Sequence, residues 1–542
     1  MGNRRGQSVV LAYLAVVIFS VLGSSLLNHS LSTQRQSEIQ RLHTEATYYA
    51  EGGLEDAISQ FAQDIANFVI DPNIPTYPAD GTMTTTFSSG AAASSLITQA
   101  ELVPRAVVDP DGTTVFVKNY HVTTTATHHS NSTVQVRLHQ IVERRMVYTF
   151  QHAVFYDNDL EWIPGPNMTL SGRVHSNNDI YLAAESTLTV DSEYLQSAGA
   201  IYNKRKDSSA MPPGNVSIKK LGLAQYANMA GLDSSSPTWP TDSQTRWLGT
   251  VKSDVHGVTK RAVPVVGSTA PGGFYDTNAT VKIVNGTITD KNGNPLTVPA
   301  GTVTTSTTFY NNREGKYVKM TDIDLKKLAG YAAGDPPGSP SFPNHLPSNG
   351  LIYATRTDAS GSQEPGIRLR NAAEIYRSGG LTVVSNTPMY VQGNYNTVNK
   401  KPVAVIADAL NLLSNAWNDA NSTVNNVNSG SPRTASSTTY NAAFIAGVDT
   451  TTPGKYNGGL ENYPRLHERW TNQTLSIMGS FVSLWTPQVA NGQWKYGQQG
   501  SNSQYTAPVR SWNYDTSFST GVNMPPFTPY AVEMQKGAWW KE

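Results

Sequence analysis

Nineteen consecutive uncharged residues, Val9 to Leu27, follow a short N-terminal segment that carries Arg4 and Arg5. At about 1.5 Å per residue that run reaches close to 30 Å, the thickness of a bilayer core. Positive charge precedes it, which predicts a cytoplasmic N-terminus and an external C-terminus. The helical spacing does not stop at Leu27. Ile39, Leu42, Ala46, Tyr49, Gly53, Ala57, Phe61, Ile65 and Phe68 recur at steps of three or four, one apolar stripe on a helix. No proline interrupts Met1 to Asp71. The pattern predicts one continuous helix of about sixty residues, apolar all round at first and amphipathic afterwards. A cleaved secretory signal would have a shorter apolar core, about 7 to 15 residues. Gly23-Ser24-Ser25 supplies small residues for such a cut, but a signal peptide has no use for an amphipathic continuation. A plain single-pass anchor for an external body is the other simple alternative.

The rest of the chain is large and polar without being strongly charged. Among 542 residues, Lys plus Arg and Asp plus Glu number 40 each, so the net charge is zero. That balance argues against a nucleic-acid partner, which needs a basic face to meet phosphates. Charged residues make up 15%, below the roughly 25% of an ordinary soluble domain. Ser, Thr, Asn and Gly take their place, a composition that suits polar strands and exposed turns. Cysteine is absent, which removes disulfides, thiolate metal sites and Cys nucleophiles together.

Gly6 followed by Gln7 and at once by an apolar helix resembles a prepilin leader. Tyr48-Tyr49-Ala50-Glu51-Gly52-Gly53-Leu54-Glu55-Asp56-Ala57 resembles the corresponding segment of PilX-like type IV minor pilins and of general-secretion pseudopilins. The resemblance implies cutting by a prepilin peptidase between Gly6 and Gln7, with Gln7 as the N-methylated first residue. It also implies packing of the helix among other pilin-like subunits in a filament core, with Leu11, Gly23, Tyr49, Glu51 and Leu54 on that helix. Major pilins of the family carry glutamate fifth in the mature chain; here that position is Leu11, a departure that favours a minor or specialised subunit. Independently of the family, a twenty-residue apolar helix taken out of lipid stays soluble only within a bundle of similar helices. Gly23, Ser24 and Ser25 would let neighbouring backbones approach closely.

After Asp71 the texture becomes that of short strands and turns, with a turn signal at Pro110-Asp111-Gly112. From Ser132 to Tyr156 apolar residues alternate, predicting one or two long strands with Glu143-Arg144-Arg145 as a solvated break or an edge. Phe155 to Leu182, Ser186 to Val190 and Ala200 to Tyr202 place short strands between Asn, Gly and Ser corners at roughly ten-residue intervals. Gly380 to Val384, Met389 to Gly393, Val403 to Ala407 and Thr474 to Val482 repeat that texture. Stacked solenoid rungs and a sandwich of similar strands both fit it. The blocks around 155–182, 381–419 and 456–485 also resemble the large C-terminal region of some PilX-like proteins. Gly172-Arg173-Val174-His175-Ser176-Asn177 is among the phrases that carry this likeness. The fold class expected is α+β: a leader over 1–6, a helix over 7–70 that spans the membrane at 7–27, and β-rich regions over 71–206 and 376–542. Between these lies a loop-rich insertion, 207–375, with short helices at Leu221 to Leu232 and Thr321 to Ala333 and a hairpin turn at Asp290-Lys291-Asn292-Gly293. Pro336-Pro337-Gly338 marks a linker.

Candidate chemistry is sparse. His175 and Asp179 stand four apart, with Asp157, Asp159 and Glu161 upstream, and a β-helix glycan hydrolase or lyase would want clustered carboxylates of this kind. Asn, Asp and His at corners also cap turns by hydrogen-bonding the backbone, which is the simpler role. Asp157 and Asp159 could offer oxygens to calcium, although the spacing is not that of an EF-hand loop. Trp417, Trp470, Trp485, Trp494, Trp512, Trp539 and Trp540 crowd the last quarter with Tyr463, Tyr496, Tyr505 and Tyr514. Most should fill a core that has few Phe; Trp539-Trp540 is the best exposed candidate. No G-x-x-x-x-G-K-[ST], H-E-x-x-H or G-x-S-x-G motif occurs. The reading is therefore a non-enzymatic pilin-like filament subunit, in the inner membrane as a precursor and then on the bacterial surface, displaying its β body for adhesion or capping. A membrane-anchored or secreted β-helix protein that binds or cleaves polysaccharide, and a tip pseudopilin of a type II secretion-like machine, are the alternatives. No cofactor is expected beyond the calcium just considered.

Overall fold

The computed structural model describes residues 4–542 except 110–111, 337, 426, 428–429, 454 and 495–503. The expected leader over 1–6 lies partly, Pro110-Asp111 and Tyr496 wholly, outside the described residues, as does Pro337 of the expected linker.

The N-terminal helix is continuous over Arg4–Ala66, 63 residues, about 95 Å of helix. It stops a few residues short of the expected 70 because Phe68 turns into the left-handed region (φ 61°) and stacks on Phe274 at 3.8 Å. The helix has two environments. From Gly6 to Arg41 it touches almost nothing of its own chain, and its large apolar side chains stand out in the open. From Leu42 onward one face is buried: Leu42, Ala46, Ala50, Leu54, Ala57, Ile58, Phe61, Ala62 and Ile65, the i, i+4 ladder of a single docking stripe.

That stripe lies on an antiparallel sheet whose order is Thr76–Tyr77, Ala92–Gln99, Thr114–His128, Asn131–Tyr148 and Tyr530–Lys541. Alternation along Thr114–His128 turns Tyr120, Val122, Thr124, Ala126 and His128 toward the helix. Gly52 and Gly53 allow the approach. A Cβ on Gly53 would run into the Cβ of Ala93, and one on Gly52 would meet the Phe87 ring at 2.9 Å. The Ser95 hydroxyl, packed into this contact, donates to the Gly53 carbonyl at 3.1 Å. Glu143-Arg144-Arg145 is not a break. Strand Asn131–Tyr148 runs straight through it. Period two sends Glu143 and Arg145 to the outer face, where Arg105 and Asp109 pair with them at 3.2 and 2.5 Å. Arg144 points inward, fully buried, and donates to the Pro72 carbonyl and to Asn73 Oδ1.

Asn131–Tyr148 and Tyr530–Lys541 are neighbours in this sheet, so residues 149–529 leave and return between two paired strands. They build a stack of parallel rungs. Val154–Tyr156, Val174–Ser176 and Leu195–Ser197 pair in parallel, as do Leu160–Trp162, Ile180–Leu182 and Ile201–Tyr202. Met168–Ser171, Thr187–Asp191 and Asn215–Lys219 form the third wall. The repeat of about twenty residues is set by inward apolar positions that fall in register, for example Leu160, Ile180 and Ile201.

The second set of rungs runs Val281–Val284, Leu351–Thr355, Leu381–Val384, Val403–Ala407, Thr438–Ala446 and Thr474–Ser483, again all parallel. Its last strand pairs with Val154–Tyr156, the first strand of the other set. The chain thus begins its solenoid in the middle, builds one half outward, and returns to the far end to build the other half back to the start. This parallel ladder is the solenoid-like form of the α+β body, not a sandwich. Residues 207–375, expected as an insertion, supply strands to both halves, among them Asn215–Lys219, Val281–Val284, Lys316–Asp324 and Gln363–Arg370. Leu221 to Leu232 holds turns and the strand Tyr226–Asn228 rather than a helix, because that strand pairs back on Asn215–Lys219. Thr321 to Ala333 is helical only over Leu325–Leu328. Residues 321–324 are claimed by parallel pairing with 367–370, and Gly330 (φ 93°) follows the helix. The turn at Asp290 to Gly293 forms as expected, with Asp290 Oδ1 accepting from the amides of Asn292 and Asn294 at 2.8 and 2.9 Å.

Replacing Gly53 by leucine forces side-chain volume into the closest helix–sheet approach. Gly53→Leu should lower the unfolding free energy of the full chain in detergent by about 1–3 kcal/mol or more, measured by denaturant titration. Glu51→Ala, on the exposed face two residues away, should stay within about 0.5 kcal/mol of the parent.

Candidate functional site

Two places in the molecule hold the residues that the sequence singled out. The first is the undocked half of the helix. Val10, Leu11, Tyr13, Val17, Phe19, Val21, Leu26 and Leu27 are each more than half exposed. Gly6 to Ala66 is long and apolar enough to cross a membrane, and its most apolar window, of mean hydropathy 2.4, buries nothing within the chain. Leu11 and Gly23 sit on this free segment, and Gly6 and Gln7 stand exposed near its start. The other expected helix-core positions are placed differently. Leu54 is 2% exposed against the chain's own sheet. Tyr49 packs half-buried beside Phe87 and His128, with ring centroids 5.2 and 6.2 Å apart. Glu51 faces solvent. The docked half begins where His128, itself buried, meets Glu45 at 2.8 Å, and Glu45 in turn pairs with Arg41. Lys541 reaches Thr47 at 2.8 Å and Lys536 reaches Glu55 at 2.5 Å, so the C-terminal strand lies alongside the same stretch of helix. Trp539 and Trp540, expected as exposed aromatics, are 48% and 42% exposed there, and Trp540 stacks on His139 at 4.9 Å. Trp417, Trp470, Trp485 and Trp512 are core.

The second place is the corner of the first rungs. Asp159 and Asp179 occupy equivalent positions one rung apart, each turned to the backbone of the next rung. Asp159 Oδ1 accepts from the Asp179 amide at 3.2 Å, and Asp179 Oδ1 accepts from the Ala200 amide at 2.8 Å. Asp159 also pairs with Lys206 at 2.8 Å. Asp157 accepts from the Asn177 side chain at 2.7 Å. His175 is wholly buried against Phe155, with Nε2 3.1 Å from Asn177 Oδ1, and burial and Arg261 hold it neutral. These bonds are the corner-capping role anticipated for Asn and Asp. Among the described residues, no three His, Asp or Glu side chains are grouped to hold a metal ion.

Glu161 is the residue that its sequence neighbourhood did not single out correctly. It is 1% exposed, and its backbone forms a parallel bridge with Gly459. It therefore stands at the seam where the two halves of the solenoid meet. A cavity of about 160 Å³ opens there, lined by Tyr156, Asn158, Asp159, Glu161, Lys206, Asp449 and Thr451 among others. Burial pushes the Glu161 carboxyl up to about 7, and the nearby Glu461 and Asp159 add to the effect. Glu364, buried with Asn311 and Tyr390 as partners at 2.8 and 2.7 Å, is pushed by burial to about 8. Neither position could be paired with its partners from sequence, because the contacts join residues tens to hundreds of positions apart.

No protein-family model matches the chain, and no curated protein sequence matches it. Among solved structures, the competence-associated pilin ComZ from Thermus thermophilus aligns with 92% of this chain and 97% of its own length at 10% identity. The TM-score is 0.26, too low to establish a shared fold.

The raised carboxyl at the seam has a thermodynamic consequence. A carboxyl whose folded value lies above its unfolded value of 4.5 contributes stability that is fully present below about pH 4.5 and is lost as pH rises through about 7. Glu161→Gln keeps the shape and removes the proton uptake. The variant should be more stable than the parent above pH 7, by on the order of 3 kcal/mol, and should show a shallower fall of stability between about pH 5 and 7. Denaturant titrations of both proteins across that window measure the difference.

Proposed function

We propose that this chain is a non-enzymatic, type IV pilin-like filament subunit of the PilX-like kind. The observation that carries the reading is the division of one helix into a docked half and an undocked half. Residues 42–66 are satisfied by the chain's own sheet, whereas within the undocked residues 6–41 the run Val9 to Leu27 leaves an apolar cylinder uncovered. Water does not tolerate such a surface on an isolated protein. Lipid covers it in a membrane precursor, and like helices cover it in an assembled bundle. The resemblance at Gly6-Gln7 and at Tyr48 to Ala57 supports the second state as the destination. On this reading a prepilin peptidase cuts after Gly6, Gln7 becomes the methylated N-terminus, and other pilin-like subunits pack around Leu11 and Gly23. The solenoid, carried between two strands of the helix-bearing sheet, is then the displayed part, suited to adhesion or to capping the filament.

Mass spectrometry of protein sheared from the cell surface should find a chain beginning at N-methylated Gln7. An intact Met1 or a start near Leu26 would overturn the assignment. A charge in the free half of the helix is the second check. Val17→Asp, which costs about 2.5–3.5 kcal/mol at the centre of an inserted helix, should remove the subunit from sheared filaments while leaving the docked residues 42–66 untouched.

A further inference from the structure

Arg433 is 2% exposed, yet Nε, Nη1 and Nη2 of its guanidinium have no hydrogen-bond partner among the described residues. Trp470 is fully buried, and its indole Nε1 also has none. The two belong to adjacent rungs. Thr434 and Arg469 form a parallel bridge, the Arg469 amide donates to the Arg433 carbonyl at 2.7 Å, and the Ala435 amide donates to the Arg469 carbonyl at 3.0 Å. That register sets Arg433 beside Glu468 and Ala435 beside Trp470. All four side chains are on the buried face, while Thr434, between them, is exposed. Ala435, between Arg433 and Trp470, contributes only a methyl group.

The chemistry of these unpartnered groups is one-sided. Guanidinium and indole N–H donate and cannot accept. The carboxylate that could answer them is turned elsewhere: the two oxygens of Glu468 accept from the Ser414 amide at 2.7 Å and the Ser414 hydroxyl at 2.6 Å. The neighbouring His467 is held neutral by burial and by the positive charges of Arg433, Arg313 and Arg465. A buried guanidinium with neither ion pair nor acceptor costs several kcal/mol. We propose that Arg433 and Trp470 form an internal binding site for a small inorganic monovalent anion, of which chloride is the type. The anion supplies the missing acceptor for both donors, adds to the negative charge that the neighbouring Glu468 carboxylate presents to Arg433, and braces the rungs at 433–435 and 468–470. This site is independent of how the helix assembles.

The test uses the full chain in detergent, unfolded thermally in sodium chloride and in sodium gluconate at matched ionic strength. Gluconate is too large to enter. Melting should rise with chloride concentration and then saturate, with bromide able to replace chloride. Crystals transferred to sodium bromide should show an anomalous peak between Arg433 and Trp470. Arg433→Met should abolish the chloride dependence, and Trp470→Phe, which keeps the ring and removes the N–H, should weaken it. Should Arg433→Met not fold, the parent chain and Trp470→Phe still decide the question. Equal melting in chloride and gluconate, or bromide bound only elsewhere, would mean that no anion is held there and would overturn the proposal.

Discussion

The contact between residues 42–66 of the helix and the inner face of the antiparallel sheet is the interaction on which the rest is hung. It is close packing in which small residues at the nearest approach, Gly53 over Ala93 with Ala46 and Ala50 on the same stripe, let Leu54, Phe61 and Ile65 bury against the sheet. Close approach maximises dispersion and apolar burial per residue, and it fixes the direction in which the undocked half leaves the body. Because the docked face is used up by the chain itself, whatever covers Val9 to Leu27 must come from outside.

The same sheet also receives the solenoid. Its two central-to-edge strands, Asn131–Tyr148 and Tyr530–Lys541, are sequence-distant and paired, so both ends of a 149–529 excursion are clamped at one place. Further ties run from the end of the helix to the body, where Gln63 donates to the Val263 carbonyl at 2.9 Å and Asn67 accepts from the Val265 amide at 2.9 Å. The body is therefore tied to the helix-bearing sheet at both ends and to the helix itself.

Inside the solenoid the two halves meet through backbone pairing between Thr474–Ser483 and Val154–Tyr156, and electrostatically unusual carboxyls lie both at this junction and deeper in the second half. Glu161 at the seam, and Glu364 deeper in the second half, are carboxyls made reluctant to ionise by burial. A parallel rung buries its inward side chain whatever its polarity, because neighbours above and below complete the shell. Polar residues at such positions must find partners from other rungs, and Glu364 does so through Asn311 and Tyr390.

The long helix, its membrane-length apolar half and its amphipathic continuation were legible because a 3.6-residue period is a local property, visible between Ile39 and Ile65. Corner residues such as Asp159 and Asp179 were legible as turn-capping groups for the same reason: their partners lie within a rung or the next. The register of Arg144 was not, since a charged triplet reads as a break until a second layer at Pro72 and Asn73 offers acceptors. Nor was the role of residues 207–375, whose strands look like isolated fragments until rungs from 381 to 483 stack on them. By itself the sequence determined the helix, the β character of the body and the absence of any disulfide. Only the tertiary structure decided the order in which the rungs stack, the burial of Leu54 against its own sheet, and the meeting of Glu161 with Gly459. Parallel pairing joins residues far apart in the chain, and no local pattern records which distant strand will complete a ladder.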